Sequence, residues 1–187
     1  TSTLTQNKRG SVGPPFPNTE IRIANQDVNG EGEIWVKSPV LMNGYLGQPD
    51  ETVEVFRDGW LRTGDIGMLD SEGFLSITGR IKELIVTAAG KNVSPEQVEW
   101  QYRDLAGVEE LAILGMPSKT GHGEEVHAAV VVKQGADGNA DVARDAIAGR
   151  TLSTPSYMKI QSVHFVDSIP RTTTLKVKRG KLKDQLL

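Results

Sequence analysis

Apolar and polar residues alternate in short runs over the first eighty residues, with the period of two that is typical of half-buried strands. Such runs lie at residues 20–23, 33–37, 60–62, 66–69 and 74–77. The segment Asp70–Gly73 separates the last two runs and predicts a hairpin turn. A short helix is predicted to begin near Pro49, where acidic residues favour a helix N-terminus, and to end before Gly59. This region is therefore predicted to be a small antiparallel β-unit.

From Arg80 onwards the pattern changes to apolar strands that alternate with helices. Ser94 predicts a helix N-cap, Pro95 the first helical position and Gln97 a capping box. The apolar face of this helix, at spacing i, i+4 and i+7, comprises Val98, Tyr102 and Leu105. Further strands are predicted at residues 81–86, 108–114, 126–132 and 163–166, and further helices at 139–150 and 179–187. This order is typical of a compact α+β domain.

The distribution of charge indicates the same division. Residues 1–79 contain 6 basic and 11 acidic residues, a net charge of −5, whereas residues 80–187 contain 15 basic and 13 acidic residues, a net charge of +2. We therefore predict two units, 1–79 and 80–187. The fold class is predicted to be α+β, with a small antiparallel β-subdomain followed by a compact α+β C-terminal domain.

Composition excludes several classes of function. The chain contains no cysteine, so neither disulfides nor thiolate chemistry is predicted. No apolar run approaches the roughly 18–20 residues that a membrane-spanning helix needs. A net charge of −3 gives no general attraction to nucleic acid, so no nucleic-acid partner is predicted. His122, His127 and His164 lack the spacing of metal ligands, so no metal site is predicted.

Two dipeptides, Gly64-Asp65 and Gly79-Arg80, are candidates for a binding site. Each on its own indicates an ordinary turn, because glycine and aspartate are standard turn formers. Together they have a second interpretation, since the hairpin between them would bring Asp65 and Arg80 to one edge. A carboxylate can accept two vicinal hydroxyls, as a ribose offers, and a guanidinium can reach the same sugar or its phosphate through its planar fork.

Two further stretches, each containing a lysine, have competing interpretations. Gly90-Lys91 precedes the predicted helix and is either a weak phosphate loop or a plain strand-to-helix turn, and it lacks the spacing of a Walker loop. Lys176 lies on a threonine-rich stretch and is either a mobile positive charge for an anion or part of a solvated basic tail. Composition alone favours the tail. A stand-alone anion-binding module that uses this tail is therefore one alternative function.

Eight short motifs follow one another along nearly the whole chain from about residue 10. They are Gly10-Ser-Val-Gly, Gly32-Glu-Ile-Trp-Val, Asn43-Gly-Tyr, Gly59-Trp-Leu-Arg-Thr-Gly-Asp, Gly79-Arg-Ile-Lys-Glu-Leu-Ile, Gly90-Lys-Asn-Val-Ser-Pro, Gly123-Glu and Pro170-Arg-Thr. In this order they resemble the C-terminal part of the adenylate-forming (AMP-binding) enzymes. The sequences of residues 77–80, 87–95 and 174–179 are most similar to the long-chain fatty acyl-CoA synthetases of that superfamily.

The resemblance implies a two-step ligase. A fatty acid and ATP would form an acyl-adenylate and pyrophosphate, and the thiol of CoA would then displace AMP. In that family the phosphate loop, the fatty-acid tunnel and the acidic residue associated with Mg²⁺ lie in a large N-terminal domain that these 187 residues do not contain. The chain would then be a fragment, inactive alone: the terminal β-subdomain of the AMP-binding domain and the mobile C-terminal domain. A ligase that delivers the acyl group to a carrier-protein thiol is the alternative within the family.

The resemblance also implies roles for particular residues. Asp65 would bind the ribose hydroxyls of ATP, and Arg80 would contact the ribose or a phosphate. Lys82 would be the hinge on which the C-terminal domain pivots between the two half-reactions. Lys176 would be the catalytic lysine that reaches the α-phosphate and the carboxylate in the first half-reaction. The Gly90-Lys91 loop would line the CoA tunnel in the second.

One position departs from the pattern of many relatives. Leu175 stands where they have glycine, although the long-chain branch shares this wording, and the difference bears on the flexibility of the Lys176 loop. A cytoplasmic location is the expectation, with peripheral association at the membrane as an alternative. The sequence carries no signal of oligomeric state.

Overall fold

A computed structural model describes residues 7–119, 121–135 and 139–187. The chain forms two compact units, Thr1–Lys82 and Glu83–Leu187. The boundary that we predicted from the sequence lies three residues earlier, between residues 79 and 80. The first unit is dominated by antiparallel strands and the second combines strands and helices, so the predicted α+β fold class is confirmed.

The first unit contains one five-stranded antiparallel sheet. Its strands are β1 (Glu20–Ala24), β2 (Gly32–Lys37), β3 (Phe56–Arg57), β4 (Trp60–Leu69) and β5 (Leu75–Arg80). The order across the sheet is β1-β2-β4-β3, and β5 also pairs with β4. A short helix, α1 (Pro49–Val55), precedes β3 and buries none of its residues. The central strand β4 therefore pairs with three others and positions the residues that it carries.

Strand β4 differs from the prediction in its length. The two runs predicted at 60–62 and 66–69 are one continuous strand of 10 residues. The predicted hairpin turn after it is confirmed, since the Gly73 amide donates to the Asp70 carbonyl at 3.0 Å. The Asp70 carboxylate also accepts from the backbone amides of Glu72 and Phe74, both at 2.9 Å. An aspartate that bonds its own turn in this way fixes the register of the hairpin.

One face of this sheet buries a tryptophan beneath charged side chains. The Trp35 indole is 7% exposed and donates from Nε1 to the Glu33 carboxylate at 2.8 Å. Arg62 Nε lies 3.3 Å from the same carboxylate, and the Arg22 guanidinium lies 4.5 Å from the indole centroid. The buried Glu33 is therefore both hydrogen-bonded and ion-paired, which a buried carboxylate requires.

The second unit begins within a 3₁₀ helix and continues through five strands and three α-helices. The first elements are the 3₁₀ helix Ile81–Glu83, β6 (Ile85–Val86), β7 (Asn92–Val93), α2 (Pro95–Gln101), β8 (Val108–Pro117) and β9 (Glu124–Val132). They are followed by α3 (Ala140–Ser153), a second 3₁₀ helix Ser156–Met158, β10 (Ser162–Phe165) and α4 (Arg179–Leu186). Strands β6 and β7 form a small hairpin. The main sheet has the order β10-β9-β8, antiparallel between β8 and β9 and parallel between β9 and β10.

Both faces of this main sheet are covered. Val126, Ala128 and Val130 of β9 are fully buried in a cluster with residues of α2 and α3. Ala129, between them in the sequence, is fully buried on the other face with Leu182 of α4. A strand buried on both faces carries a nearly continuous apolar run, which explains why β9 was predicted without an alternating pattern. No helix in the described part of the chain has the length and apolarity needed to span a membrane.

Two predictions at the start of this unit were wrong in detail. Residues 81–86 are not one strand, because a 3₁₀ helix occupies 81–83 and only Ile85–Val86 is extended. Helix α2 ends at Gln101, so Tyr102 and Leu105 lie beyond it, although both are buried in the predicted cluster with Val98. The apolar spacing identified the buried side chains correctly but overestimated the length of the helix.

The two predicted helix starts also have different outcomes. The Ser94 hydroxyl donates to the Glu96 carboxylate at 2.9 Å and makes no capping hydrogen bond, so the capping-box prediction was wrong. By contrast, Asn139 caps α3 as its type suggests, because its side chain accepts from the Asp141 amide at 2.7 Å. Helix α3 then extends to Ser153, past the predicted end at residue 150.

We expect Gly123→Ala to destabilise the second unit more than Gly121→Ala. Both glycines have a positive φ, +67° and +79°, so an added Cβ strains either backbone by about 1–2 kcal/mol. At Gly123 the new Cβ would also lie 2.5 Å from the backbone nitrogen of Ala88, whereas nothing lies within 4 Å at Gly121. The clash should add about 1–3 kcal/mol. Urea unfolding of the two variants measures the difference, and equal midpoints would contradict the close approach.

Candidate functional site

Asp65 and Arg80 are brought together in the first unit, but not by turns. Asp65 lies in β4 and Arg80 ends β5, where the two are directly paired across the strands. Arg80 Nε lies 2.8 Å from Asp65 Oδ1. The assignment of both residues to turns was therefore wrong, whereas their proximity agrees with the hairpin expectation. The register that starts at the Asp70–Gly73 turn shifts by one residue between Ile66 and Gly67, and this irregularity places Arg80 opposite Asp65.

The backbone around Asp65 is fixed by its neighbours. The Thr63 hydroxyl donates to the Ile34 carbonyl at 2.7 Å and accepts from the Asp65 amide at 3.0 Å. Between them Gly64 has a φ of +70°, in the left-handed region that favours glycine. The side chain of Asp65 is 25% exposed and that of Arg80 49% exposed. The arrangement presents a carboxylate and a guanidinium to solvent from a rigid strand, and both can bind hydroxyl or phosphate groups.

Lys82 lies in the 3₁₀ helix Ile81–Glu83 and its side chain is exposed. It is the last residue of the first unit, and Glu83 is the first residue of the second. The residue that the sequence comparison with the family suggested as a hinge is thus the one at which the chain passes between units.

Gly90 and Lys91 lie on the hairpin that connects β6 and β7. The competing interpretation, a strand-to-helix turn, was therefore wrong about the elements that the loop joins. Gly90 has a φ of +71°, and its amide donates to the Thr87 carbonyl at 2.8 Å. The Lys91 amide donates to the Thr87 hydroxyl at 3.2 Å. Both amides are used inside the loop, so the exposed Lys91 side chain is what it offers to a ligand.

Lys176 ends a tight, hydrogen-bonded hairpin rather than a solvated tail. The Thr172 amide donates to the Lys176 carbonyl at 2.8 Å, and the Leu175 amide donates to the Thr172 carbonyl at 2.9 Å. The Lys176 amide also donates to the Thr172 hydroxyl at 3.1 Å. We refer to residues 171–177 as the lysine hairpin, since Arg171 and Val177 form the bridge at its base.

The charge of Lys176 is exposed and uncompensated within the described residues. None of their ion pairs includes Lys176, whereas the nearby cations Arg171, Arg179 and Lys183 are each paired with a glutamate. Arg171 also donates to the Leu175 carbonyl at 2.9 Å, which fixes the residue just before the lysine. The lysine hairpin therefore holds one accessible ammonium group on an ordered backbone, as a site for an anion requires.

Leu175 has a φ of +64° and is 73% exposed. A leucine pays a steric cost for this left-handed conformation, which glycine adopts freely. A glycine at this position would adopt the same geometry without strain. Leucine restrains the backbone of the lysine hairpin more than glycine would, because glycine has access to more backbone conformations.

Arg179 follows the lysine hairpin and gathers acidic residues from two other elements. Its guanidinium donates to Glu83, to Glu99 at 2.8 Å, and lies 3.1 Å from a carboxylate oxygen of Glu96. Its Nε also donates to the Ile113 carbonyl at 2.9 Å, and the side chain is 16% exposed. Burial raises the pKa of Glu99, and the charge of Arg179 opposes that rise. We refer to Arg179, Glu83, Glu96 and Glu99 as the arginine cluster.

The sequence did not identify the arginine cluster. Its acids lie 80–96 residues from Arg179 in the chain, so no local spacing connects them. The available signal is that Glu83 lies beside Lys82, the suggested hinge, and that Glu96 and Glu99 lie on the helix that begins at Pro95. Each of these residues is adjacent to a motif, but their convergence depends on how α2, α4 and the 3₁₀ helix pack.

Two histidines that are far apart in the sequence also meet. His127 Nδ1 lies 2.9 Å from His164 Nε2, on the parallel strands β9 and β10, and Glu125 lies 3.5 Å from the other nitrogen of His127. Burial lowers the pKa of His164, and the neighbouring His127 lowers it further. Within the described ranges no group of three or more His, Cys, Asp or Glu residues could hold a metal ion.

Family models match two parts of the chain. The model of the AMP-binding enzyme matches residues 1–46, and that of the AMP-binding enzyme C-terminal domain matches residues 97–176. Lys176 is the last residue of the second match. The other candidate residues, Asp65, Arg80, Lys82 and the Gly90-Lys91 loop, lie between the two matches.

Relatives and solved structures match nearly the whole chain. It is 37% identical over 187 residues to a long-chain-fatty-acid–CoA ligase of Bacillus subtilis, covering 96% of this chain and 32% of that protein. The structure of ATP-bound MatB from Rhodopseudomonas palustris matches with a TM-score of 0.81 at 33% identity, over 94% of this chain and 35% of that one. The o-succinylbenzoate–CoA synthetase of Bacillus subtilis, in complex with its acyl-adenylate intermediate, matches with a TM-score of 0.79 at 32% identity, over 94% and 36%. This chain thus spans about a third of the length of these proteins.

We expect Leu175→Gly to stabilise the folded chain slightly. Relief of the positive φ should contribute about 1–2 kcal/mol, and the greater freedom of glycine in the unfolded chain should offset roughly 0.5–1 kcal/mol of that gain. Thr173→Gly is the matched control, since Thr173 lies on the same hairpin without a positive φ and should lose stability. Thermal unfolding of both variants checks the sign, and a lower melting temperature for Leu175→Gly would contradict it.

The cost of Glu99→Gln is expected to depend on pH. Because the folded pKa of Glu99 is raised, its contribution to stability is complete below its unfolded pKa and declines as pH rises through the folded value. The wild type should therefore exceed Glu99→Gln in stability by more at pH 4 than at pH 8, with Glu83, Glu96 and Arg179 as its charged neighbours. Urea unfolding at both pH values measures this, with Asp141→Asn as the control for loss of an exposed carboxylate. A stability difference between wild type and Glu99→Gln that is larger at pH 8 than at pH 4 would contradict the raised pKa of Glu99.

Proposed function

Because this chain belongs to the AMP-binding enzyme family, we propose that it forms the C-terminal part of an ATP-dependent acyl-CoA ligase. Residues 1–79 would be the terminal β-subdomain of the AMP-binding domain, and residues 80–187 the mobile C-terminal domain. The proposal is supported by the length of the relatives, of which this chain matches about a third. The phosphate loop and the acyl site would lie in the part of the ligase that is not in this sequence.

The observation that carries the proposal is the exposed ammonium of Lys176 on an ordered hairpin. In the first half-reaction a carboxylate oxygen attacks the α-phosphorus of ATP, and the bond from that phosphorus to the pyrophosphate oxygen breaks. Negative charge builds up on the transferring phosphoryl group, and a pre-positioned cation stabilises it without any proton transfer. Lys176 would supply this cation, since no acid in the described residues neutralises it.

Asp65 and Arg80 would hold the nucleoside in the first unit. The ribose hydroxyls would donate to the Asp65 carboxylate, whose orientation is set by Thr63 and by the ion pair with Arg80. That ion pair uses Nε of the guanidinium, and the two terminal nitrogens of Arg80 would donate to the ribose or to a phosphate. Mg²⁺ would accompany ATP, and its ligands would lie outside this chain.

The second half-reaction would use a different placement of the second unit. The sulfur of CoA attacks the carbonyl carbon of the acyl-adenylate, and the bond from that carbon to the phosphate oxygen breaks to release AMP. Lys82, at the junction of the two units, would be the hinge for the change. The Gly90-Lys91 hairpin would then line the CoA tunnel, with the exposed Lys91 side chain facing an anionic ligand.

The finer proposal is that the acid is a long-chain fatty acid and the acceptor is CoA. It is supported by the 37% identity to the Bacillus subtilis long-chain ligase. The o-succinylbenzoate–CoA synthetase matches at 32% identity and acts on a different acid. This chain would therefore carry the steps that ligases of different acids have in common. The acid is selected in the part of the ligase that this chain lacks.

Lys176→Ala in the full-length ligase should remove nearly all adenylate formation and spare thioester formation. Loss of one charge at the reacting phosphate typically costs about 10²–10³-fold in rate. The first step is measured by ATP–pyrophosphate exchange with a fatty acid, and the second by release of acyl-CoA from supplied acyl-adenylate. Lys178→Ala is the matched control, an exposed lysine two residues further on that should change neither rate.

Equal loss of both half-reactions would remove Lys176 from this role. Exchange activity in these 187 residues alone would contradict the proposal that the chain is part of a larger ligase. Consumption of free CoA by the full-length enzyme supports the CoA acceptor, and transfer to a carrier-protein thiol without CoA would replace it.

A further inference from the structure

The lysine hairpin is tied to the body of the second unit at its C-terminal arm. The Lys178 amide donates to the Pro170 carbonyl at 2.8 Å, which closes the base of the hairpin. Arg179 comes next and opens α4, and Leu182 one turn later is fully buried. Only two residues therefore separate Lys176 from the guanidinium of the arginine cluster.

That guanidinium makes more contacts than a surface ion pair. It reaches Glu83, Glu96 and Glu99 and also donates to the Ile113 carbonyl, so the 3₁₀ helix, α2 and β8 all meet at Arg179. The side chain is 16% exposed. By comparison, Lys183 on the same helix pairs with Glu124 alone, at 31% exposure. Arg179 is thus the residue through which α4 is fixed to three other elements.

Stability alone does not explain this arrangement. Three carboxylates surround one guanidinium, which leaves an excess of negative charge in a partly desolvated place. Burying ions in this way is often less favourable than apolar packing of the same volume, whereas hydrogen-bonded ion clusters fix geometry closely. A planar guanidinium with several donors, held by several acceptors, restricts both the position and the rotation of α4 at its first residue.

We propose that Arg179 is a positioning residue for Lys176, which rests on the catalytic role of Lys176 proposed above. Through the arginine cluster it fixes the direction in which the lysine hairpin leaves the second unit. Glu83, the residue after Lys82, is one of its partners. The hairpin is therefore fixed to the segment at which the second unit begins, and a rotation at Lys82 would carry Lys176 with it as part of one rigid body.

Half-reaction kinetics of the full-length ligase test this positioning. Arg179→Gln keeps hydrogen-bonding capacity but removes the charge and the fork, and it should slow adenylate formation about 10–100-fold, as expected for a displaced catalytic group. Thioester formation from supplied acyl-adenylate should change little. Arg179→Lys should recover part of the loss, since a lysine restores the charge but not the fork. Lys183→Gln, which breaks the single ion pair on the same helix, should behave as wild type.

Hydrogen exchange on the same proteins gives a readout that does not depend on activity. The amides of Leu175 and Lys176 both donate to Thr172, so an ordered lysine hairpin protects them. Arg179→Gln and Glu83→Gln should each speed exchange in the peptide that contains these amides. Glu83→Gln leaves Arg179 with Glu96 and Glu99, and it provides the milder variant if Arg179→Gln folds poorly.

The outcomes separate the two proposals. If wild-type enzyme forms no adenylate, the proposed function is wrong, and the exchange measurement still decides whether Arg179 orders the hairpin. Unchanged exchange and unchanged adenylation in Arg179→Gln would overturn the positioning role. An equal decrease in both half-reactions, in proportion to the folded fraction, would reduce Arg179 to a structural residue and would also overturn it.

Discussion

One shared guanidinium holds together the part of this protein that carries Lys176. Arg179 joins the first helical residue of α4 to the 3₁₀ helix, to α2 and to a backbone carbonyl of β8. Apolar packing of Leu182, with Leu186 beside it, holds α4 against the sheet. The directional contacts of the guanidinium add a further constraint, since hydrogen-bonded charges depend on angle as well as distance. The geometry of the second unit near the hinge thus depends on these directional contacts as well as on its hydrophobic core.

A common construction links three of the candidate residues. Asp65, Lys91 and Lys176 each follow a backbone position with a positive φ, namely Gly64, Gly90 and Leu175. Left-handed positions turn the chain sharply and direct the next side chain away from the regular strand. In each case a threonine hydroxyl two to four residues earlier accepts a hydrogen bond from the backbone amide of the charged residue. The chain therefore presents these three charged groups from a hydrogen-bonded backbone, which limits the entropy lost when a ligand binds.

The sequence predicted the parts of this structure that depend on local pattern. The hairpin at Asp70–Gly73 and the proximity of Asp65 to Arg80 follow from strand alternation and turn chemistry. The α+β fold class is confirmed for the same reason. The sequence could not predict the His127–His164 contact or the arginine cluster, because both depend on which elements pack together over long separations. The error at Ser94 is of a different kind, since the hydroxyl donates to the Glu96 carboxylate but accepts no capping hydrogen bond from the helix backbone.

The separation of Glu83 from Arg179 along the chain, 96 residues, has a consequence for folding. The antiparallel pair β8–β9 is local and can form early, whereas β10 pairs in parallel with β9 only after the intervening helix has crossed the sheet. Helix α4 follows β10 in the chain, and its contact through Arg179 closes a loop that spans nearly the whole second unit, which carries a larger entropic cost than the local strand pairing. The attachment of the lysine hairpin to the 3₁₀ helix therefore requires both ends of the unit to be in place.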